Sequence, residues 1–431
     1  MRSNRPRFAM LALAAAIAAA PAVAQTPSTT SVPAGFDCGK ATRAVDRFIC
    51  ANAALRWQDL AMSRSYRAAR DAATGPARAE LLAQQRDWLG ERDRRCAADR
   101  SFAELSDASS WIHDQAYECL ATVYLDRRRD LDDRAAAPIA TRLIGEIDLG
   151  PIALARPDLA EAGEVPVYGM RLSPDGRQVA ILLPSQELDQ PDQLWLYRVA
   201  DRRLVPVTPP PDLQARHPAD AIAAIHAFAW RGDTLFVSAS TWGEGSDDDG
   251  FGGPDANFAA TVEGSRRLRE EPAEAKARWE SVTGGTVTRD GEVPEDDAVL
   301  ESVRASDGWL VWLTDRGHGS LNLHIRTRKP LGAPWLVAWG GWELLQFLFD
   351  DTRARLLYSA DTGIVRFDMA TRTGRRIAGT GRGDTPLAVS ADRGTLLWST
   401  RNDCGSEYLA GAEPDAPTHF CIATLTGGID P

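Results

Sequence analysis

The sequence has no long hydrophobic run after its first 24 residues. A transmembrane helix needs about 20 consecutive apolar residues, so none is predicted in that part of the chain. The apolar run at residues 8–20 is too short to cross a bilayer, and it lies between three arginines and an Ala22-x-Ala24 site. That order is typical of a signal peptide. We therefore expect a leader at residues 1–24, a flexible segment at 25–35 and an exported protein, periplasmic or secreted. A disordered Ala-rich tail is the alternative.

The chain also has no excess of positive charge. Its formal net charge is −11 at pH 7, which argues against nucleic acid as a partner because a polyanion requires a basic surface. Residues 25–135 hold 17 basic and 17 acidic side chains, whereas residues 136–431 carry a net charge of −14. This asymmetry indicates two domains of different character. The acidic part favours cationic partners through electrostatic steering.

Motifs for common enzyme chemistries are absent from the sequence. There is no G-x-S-x-G nucleophile turn, no G-x-x-x-x-G-K-[ST] phosphate loop and no G-x-G-x-x-G fingerprint between a strand and a helix. The six histidines are scattered and lack the spacing of metal ligands. We therefore expect no catalytic residue and no cofactor. An enzyme with its site inside the acidic part is the less favoured interpretation.

One acidic cluster, EGSDDDGFGGPDAN at residues 244–257, is a candidate calcium site. Calcium takes several oxygen ligands on a flexible loop, and Asp247, Asp249 and Asp255 could supply some of them. The EF-hand template fails, because Gly245 stands where its first ligand should be. A solvated insertion without a metal is the favoured interpretation.

Cysteines are few, and their number is even. An exported protein favours disulfides, but six cysteines allow fifteen connectivities. A long cysteine-free stretch separates the last two cysteines from the others, so the bond between these two is the best supported of the three. The other four leave three choices, and no C-x-x-C supports the rival interpretation as a zinc site. Two cysteines twelve positions apart in one straight helix would be about 18 Å apart, so the first is expected before the helix. The preferred pairing joins neighbours: Cys38 with Cys50, Cys96 with Cys119, and Cys404 with Cys421.

Residues 36–134 have the pattern of a small helical bundle. Residues recur at helical spacing in three segments, which are divided by Gly75-Pro76 and by a polar loop. Asn52 can cap the first long helix, and Ser109 or Asp107 can cap the last. The three stripes are Leu55, Met62, Tyr66 and Ala69; then Leu81, Gln85, Trp88 and Arg92; then His113, Tyr117, Leu120, Tyr124 and Leu131.

Residues 141–431 follow a linker at 135–140 and have the pattern of a β-propeller. Short alternating strands recur between turns such as Pro174-Asp175-Gly176. Three turn centres are 44 and 41 residues apart, and a period near 40 with four strands is typical of a propeller blade. Five repeats are clear and residues 241–300 can hold a sixth, so we predict five to seven blades; a β-sandwich is the alternative. The turn centres are Asp307, Asp351 and Asp392.

Three segments of the helical part carry a family resemblance: FDCGKATRAVDRFIC, QQRDWLGERDRRC and CLATVYLDRRRDL. Over residues 36–132 the chain resembles the N-terminal domain of the lysozyme inhibitor LprI and its relatives. The resemblance implies a cysteine-bridged helical module of exported bacterial proteins. Its motif residues are open to two interpretations, packing in the core, which is favoured, or contact with a partner. Besides the first four cysteines, they include Tyr66, Gln85, Trp88, Arg92 and Tyr124.

In the acidic part, RLSPDGRQVAIL and LTDRGHGSLNLHI resemble the repeats of TolB-like propellers. This second resemblance implies architecture alone. The predicted fold class is therefore a multidomain α plus all-β protein, in which a small disulfide-stapled helical bundle precedes a β-propeller.

The favoured function is that of an exported, non-catalytic binding protein similar to a lysozyme inhibitor. Its helical domain would bind lysozyme or another envelope protein, and its propeller would provide a second protein-binding surface. Many lysozymes are strongly basic, so the acidic propeller can supply steering that the neutral helical domain lacks. The alternative is an envelope scaffold or assembly protein with no lysozyme link. The sequence determines neither the partner nor the oligomeric state.

Overall fold

The structure is a computed structural model of the chain. The predicted leader at residues 1–24 lies outside the residues that it describes, and so does most of the segment at 25–35. No helix among the described residues is long and apolar enough to cross a membrane. The described residues are 33–155, 167, 169–183, 192–211, 213, 222–241, 255–270, 304–305, 308–315, 321–340, 347–350, 354–392, 394–407 and 418–426.

The first part of the described chain is a helical bundle. A 3₁₀ turn at Cys38–Lys40 precedes it. Asn52 separates the first two helices, because its main-chain N–H ends one while its side-chain oxygen accepts hydrogen bonds from the N–H groups that begin the next. The predicted cap at Asn52 is thus confirmed. The helices are α1 (Ala44–Ala51), α2 (Ala53–Ala72), α3 (Gly75–Ala97), α4 (Phe102–Ser106) and α5 (Trp111–Ala135).

The cap of the last helix was predicted one or more residues too early. Ser110, not Ser109 or Asp107, accepts a hydrogen bond from the N–H of Ile112 at the start of α5. Asp107 instead accepts from the N–H and the hydroxyl of Ser109, which closes the loop before the helix. That loop also contains the short helix α4.

The three predicted stripes line the core of the bundle. Among their members, four are half-buried against the core, namely Tyr66, Trp88, His113 and Tyr117. Helices α2 and α5 pack along each other, and α3 completes the layer. Fully buried members of the stripes are Leu55, Met62, Ala69, Leu81, Gln85, Arg92, Leu120, Tyr124 and Leu131.

The second part is a propeller-like all-β region. Its described strands form five four-stranded antiparallel sheets, and a short helix α6 (Gly150–Ala155) follows the first strand. The strands are β1 (Ala140–Glu146), β2 (Gly169–Leu172), β3 (Gln178–Leu183), β4 (Gln193–Arg198), β5 (Arg203–Pro206), β6 (Ile222–Arg231), β7 (Thr234–Thr241), β8 (Phe258–Thr261), β9 (Gly264–Arg267), β10 (Arg304–Ala305), β11 (Trp309–Asp315), β12 (Leu321–Thr327), β13 (Trp335–Gly340), β14 (Phe347–Asp350), β15 (Arg355–Ala360), β16 (Gly363–Asp368), β17 (Thr373–Arg376), β18 (Thr385–Val389), β19 (Thr395–Thr400) and β20 (His419–Thr426).

Four of these sheets follow chain order: sheet I is β2–β5, sheet II is β6–β9, sheet III is β10–β13 and sheet IV is β14–β17. Sheet V has the order β1-β20-β19-β18, so the first strand of the region pairs with the last. The β-sandwich alternative requires two sheets packed face to face, whereas the described strands form five sheets. In the segment 241–300 that was considered for a sixth repeat, the described residues supply the last two strands of sheet II, β8 and β9.

The strands at the centre of the sheets are buried on both faces. In β3, Ala180 and Leu182 pack with sheet II, whereas Val179 and Ile181 pack with sheet V. Successive side chains of a strand point to opposite faces, so a strand between two neighbouring sheets must be apolar at every position. This explains the continuous run VAILL in the sequence.

Two hairpin turns repeat the same hydrogen bonds. The Ser173 hydroxyl donates to Asp175 and accepts from the N–H of Gln178, and the Ser390 hydroxyl likewise donates to Asp392 and accepts from the N–H of Thr395. Gly176 has φ of +72°, and a Cβ there would meet the Thr395 side chain at 2.4 Å. The turn of sheet I therefore packs on sheet V only because this residue is glycine. The other predicted turn centres, Asp307 and Asp351, lie outside the described residues.

Candidate functional site

A chain of buried hydrogen bonds crosses the helical bundle. Arg92 Nη1 on α3 donates to the Tyr124 hydroxyl on α5 at 2.7 Å, and that hydroxyl donates to Asp59 Oδ1 on α2 at 2.8 Å. The other oxygen of Asp59 accepts from the N–H of Gly35 at 2.7 Å. One tyrosine hydroxyl thus links three helices, and Asp59 extends the link to the segment before the first disulfide.

Arg92 is also the centre of an ion-pair cluster. Its Nη2 lies 2.6 Å from Asp93 Oδ1 and 3.4 Å from Asp46 Oδ1. Arg43, before α1, pairs with the same two carboxylates. Because Arg92 is buried, these partners are needed to offset the loss of its hydration.

The pKa values of Tyr124, Asp59 and Arg92 are all raised. Burial raises the pKa of Tyr124 well above its usual value and also raises the pKa of Asp59. Burial acts to lower the pKa of Arg92, but Tyr124, Asp93 and Asp46 outweigh it and the net shift is upward. A guanidinium and a tyrosine with raised pKa values stay protonated at neutral pH. Arg92 and Tyr124 therefore keep the protons that they donate to Tyr124 and Asp59, respectively.

The remaining motif residues surround this network. Gln85 Nε2 lies 3.2 Å from Met62 Sδ, and Gln85 Oε1 accepts from Arg127 Nε at 3.0 Å. The ring of Trp88 meets the ring of Tyr124 edge to face, with 5.6 Å between centroids. Sequence reasoning identified these residues but missed their partners Asp46, Asp59 and Asp93. The available signal was that Asp59 falls on the apolar stripe of α2, between Leu55 and Met62.

Three disulfides staple the described chain, and each joins neighbouring cysteines. Cys38 in the 3₁₀ turn bonds Cys50 at the end of α1, with 5.7 Å between their Cα atoms. Cys96 at the end of α3 bonds Cys119 on α5 across the loop that contains α4. In the β region, Cys404 bonds Cys421 of β20. Two of the three bridges thus lie in the small bundle, where the hydrophobic core is limited by size.

The outer surface of the bundle offers two features for a partner. One is a groove of 290 Å³ between α3 and α5, where three acids and three arginines balance in charge. The other is Trp111, the first residue of α5, whose side chain is 66 % exposed. Asp114 and Glu118, both exposed, follow at positions i+3 and i+7 and so share its helical face.

The candidate metal ligands do not come together among the described residues. Asp247 and Asp249 lie outside them, and Asp255 is an exposed residue whose backbone pairs with Ser240. Asn257, close in sequence, is buried and accepts a hydrogen bond from the N–H of Ala239, so it anchors sheet II. In the part of the chain that the structure describes, no group of three potential metal ligands is found.

Helices α2 and α5 also bind the β region. Trp57, Leu60 and Ala61 of α2 cluster with Leu336 of β13. Arg64 Nη1 donates to the main-chain oxygen of Leu336 at 2.9 Å. Apolar packing and a buried polar contact therefore fix α2 to sheet III.

On the α5 side, the contact with the β region is made by charges. Arg376 of β17, which is 5 % exposed, pairs with Asp133 of α5 at 3.1 Å and with Glu407 at 3.3 Å. Glu407 in turn pairs with Arg129 of α5. These four residues alternate in charge, so Arg129 and Arg376 each have a carboxylate partner.

The motif residues, the disulfides and the order of the helices agree with a known domain. Residues 38–131 match the family model of the lysozyme inhibitor LprI. The resemblance seen in the sequence is confirmed for this LprI-matching segment, which is less than half of the chain. No curated protein matches the chain.

Solved structures with similarity to the chain include peptidases and a TolB protein. The isopeptidase AtxE2 is 14 % identical, with 53 % of this chain and 36 % of that chain covered and a TM-score of 0.27. A puromycin hydrolase is 12 % identical, with 54 % and 43 % covered and a TM-score of 0.24. A protein described as TolB from Agrobacterium tumefaciens is 11 % identical, with 60 % and 90 % covered and a TM-score of 0.21. The chain spans less than two thirds of both enzymes, and all three TM-scores are below 0.5, so these similarities do not bear on its function.

Proposed function

We propose that this protein is an exported, non-catalytic binding protein whose LprI-matching bundle, residues 36–134, acts as a lysozyme-inhibitor-like domain. The observation that carries the proposal is the family match over a segment that folds as a disulfide-stapled helical bundle. Disulfides favour an oxidising compartment, which supports export to the periplasm after cleavage of a leader at residues 1–24.

The binding surface that we propose is the exposed face of α5 with Trp111, Asp114 and Glu118. The motif residues are unsuited to this role because they are buried or packed against one another. An exposed tryptophan supplies the kind of anchor that dominates binding energy at protein interfaces. Two carboxylates beside it suit a basic partner, since opposite charges speed association and fix orientation.

The β region, residues 141–431 after a linker at 135–140, is proposed to be a closed five-bladed propeller. The pairing of β1 with β20 supports closure, because it joins the first and last strands of the region in one sheet. Its net negative charge supports a role as a second protein-binding surface that attracts cationic partners.

The first experiment measures the activity of several lysozyme classes in the presence of the whole oxidised chain. We expect at least one class to be inhibited, with inhibition that weakens as salt concentration rises, because charges assist the encounter. If no class is inhibited, the inhibitor function is wrong, and the alternative of an envelope scaffold takes its place.

A matched pair of variants then locates the surface. Trp111→Ala is expected to weaken inhibition at least about tenfold, the loss typical of an interface anchor. Leu154→Ala removes a side chain that is 87 % exposed on α6, outside the bundle, and is expected to leave inhibition unchanged. Equal inhibition by both variants would contradict the proposed surface while leaving the inhibitor function in place.

A further inference from the structure

A cavity of 470 Å³ lies where the helical bundle meets sheets III and IV. Its walls come from α2 and α5 on one side and from β13, β15, β16 and β17 on the other. Pockets that hold small molecules are commonly about 300–1,000 Å³ and occur preferentially between domains. The size and position of this cavity are therefore those of a small-molecule site.

The inner wall of the cavity is apolar and aromatic. Trp57, Tyr358 and Phe367 line it and are buried. The cavity opens to solvent beside exposed residues of α2 and of the segment before β17, among them Ala68 and Arg372. A ligand would thus place an apolar body inside and a polar group near the mouth.

The polar lining has an excess of positive charge. Five arginines and two aspartates contribute to it, namely Arg64, Arg128, Arg372, Arg375, Arg376, Asp71 and Asp132. Both aspartates already have partners, since Asp132 lies 3.7 Å from Arg128 and Asp71 lies 3.3 Å from Arg70. The lining therefore disfavours a cationic ligand and leaves positive charge to be neutralised.

Three of the five arginines, Arg64, Arg372 and Arg375, lack a carboxylate partner among the described residues, and Arg375 donates to the main-chain oxygen of Ala137. The guanidinium carbons of Arg64 and Arg372 lie 4.5 Å and 4.4 Å from the ring centroid of Trp335, respectively, so both cations contact the same indole. Arg64 donates to the carbonyl of Leu336, which is neutral. In the described part of the chain, the interaction that Arg372 makes is its contact with the ring of Trp335.

We propose that this junction cavity binds a small organic anion, whose carboxylate or phosphate pairs with Arg64 and Arg372 and whose planar apolar body packs against Trp57, Tyr358 and Phe367. Arginine is suited to such a role because its planar fork matches carboxylate and phosphate oxygens. A ligand in this position touches both the bundle and the β region, so its binding also strengthens their contact. The inference is independent of lysozyme binding, because the cavity does not include Trp111.

The ionisation of the lining agrees with this assignment. Burial lowers the pKa of Arg64 to about 10, and the like charges of Arg128 and Arg372 act in the same direction. A bound anion would remove part of this cost by supplying the opposite charge.

Calorimetric titration of the whole chain with three naphthalene probes tests the proposal. The probes are 2-naphthoate, 2-naphthyl phosphate and the neutral 2-naphthamide. We expect at least one anion to bind with a dissociation constant below about 1 mM, and the amide to bind at least about tenfold more weakly. The tighter of the two anions identifies the preferred head group. Inorganic phosphate alone is expected to bind more weakly than the naphthyl ester, because it cannot use the apolar wall.

Three variants give the controls. Arg372→Gln, at an exposed residue, is expected to weaken anion binding about tenfold, the loss of a charge-assisted contact. Arg266→Gln, an exposed arginine on β9 away from the cavity, is expected to change nothing. Ala68→Trp should block the mouth and abolish binding. The proposal is overturned if none of the probes binds, if the amide or inorganic phosphate binds as tightly as the naphthyl anions, or if the two arginine variants behave alike.

Discussion

The Tyr124 hydroxyl takes part in two hydrogen bonds between charged groups inside the bundle. It accepts from Arg92 and donates to Asp59, and all three side chains are buried. A buried charge that loses its partner costs more than the hydrogen bond itself contributes, because the group also lost its hydration. The stability of the bundle therefore depends on this hydroxyl as well as on the buried aromatic ring that carries it.

Replacing Tyr124 with phenylalanine tests this dependence. Tyr124→Phe keeps the ring but leaves Arg92 and Asp59 each short of a partner, so we expect a loss of about 2–3 kcal/mol in the free energy of unfolding. Tyr66→Phe removes the hydroxyl of a half-buried tyrosine, which makes no hydrogen bond to the residues that the structure describes, and should change stability by less than about 0.5 kcal/mol. Urea unfolding followed by circular dichroism measures both. Equal losses would mean that the network does not stabilise the fold.

Asp384, just before β18, makes stability depend on pH. It is 2 % exposed, and burial raises the pKa of its carboxyl to about 6, although Thr400 and the Gly381 N–H partly oppose this shift. Because the folded-state pKa lies above the usual value of about 3.9, the folded chain binds this proton more tightly than the unfolded chain. The contribution of Asp384 is therefore fully favourable below pH 4 and is lost as pH rises through about 6.

Asp384→Asn removes this titration while retaining an oxygen that can accept from the Gly381 N–H. We expect the variant to be more stable than the wild type by about 1–3 kcal/mol at pH 8, since each unit of pKa shift corresponds to about 1.4 kcal/mol. The difference should shrink toward zero at pH 4. Thermal unfolding across this range provides the measurement, and a difference that stays constant with pH would contradict the assignment.

At the scale of elements, helix starts depend on single side chains. Asn52 accepts from the N–H groups of Ala54 and Leu55 at 3.0 and 3.2 Å and so begins α2. The sequence predicted this cap because a capping residue stands directly before an apolar stripe. It missed Ser110 as the cap of α5, because Asp107, Ser109 and Ser110 are all acceptable caps and the loop geometry selects among them.

Asn52→Ala is expected to cost about 1 kcal/mol of stability, since two N–H groups of α2 lose their acceptor. Asn52→Asp keeps an acceptor and adds a negative charge at the helix start, so it should cost less than about 0.5 kcal/mol. The midpoint of chemical unfolding distinguishes the two. If the aspartate variant is as destabilised as the alanine variant, the side-chain cap is not what stabilises α2.

The sequence also predicted where strands lie, but it did not predict which strands pair over long distances along the chain. The alternation of apolar and polar residues predicted hairpins such as β2–β3 and β18–β19, whose turns carry serine, aspartate and glycine. The pairing of β1 with β20 joins residues that are almost 280 positions apart, with Glu146 opposite Cys421. No local pattern marks such a pair, because the strand itself has the same alternation whichever edge it joins.

At the scale of the whole molecule, charged residues connect the two parts of the chain. Arg376 is buried between Asp133 of α5 and Glu407, so its second carboxylate partner, Asp133, is present only when the bundle and the β region are in contact. The contact through Trp57 and Leu336 adds apolar area on the other side of the junction. We therefore expect the two parts to unfold together.

Arg376→Gln should weaken this coupling. The change leaves Asp133 and part of Glu407 without a cation at a half-buried junction, so we expect a loss of about 2–3 kcal/mol. Helicity should then be lost before the tryptophan fluorescence of the β region changes, whereas the wild type shows coincident transitions. Arg266→Gln serves as the exposed control and should keep the transitions coincident. Unaltered coincidence in Arg376→Gln would show that the apolar contact alone couples the two parts.

The sequence by itself determined the local features of this protein: the helical and strand segments, the cap at Asn52, the preferred neighbour pairing of the cysteines and the motif residues of the bundle. The segments and the cap follow from spacing and composition within about ten residues, over which backbone geometry fixes which side chains share a face. The motif residues came from the family resemblance. Only the tertiary structure decided that Asp46 compensates Arg92, that β1 joins β20 and that Arg64 and Arg372 both contact Trp335. Arg92 and Asp46 are 46 positions apart, and Arg142 of β1 and Thr424 of β20 are 282 positions apart. Burial and charge compensation, which act through space, select such contacts.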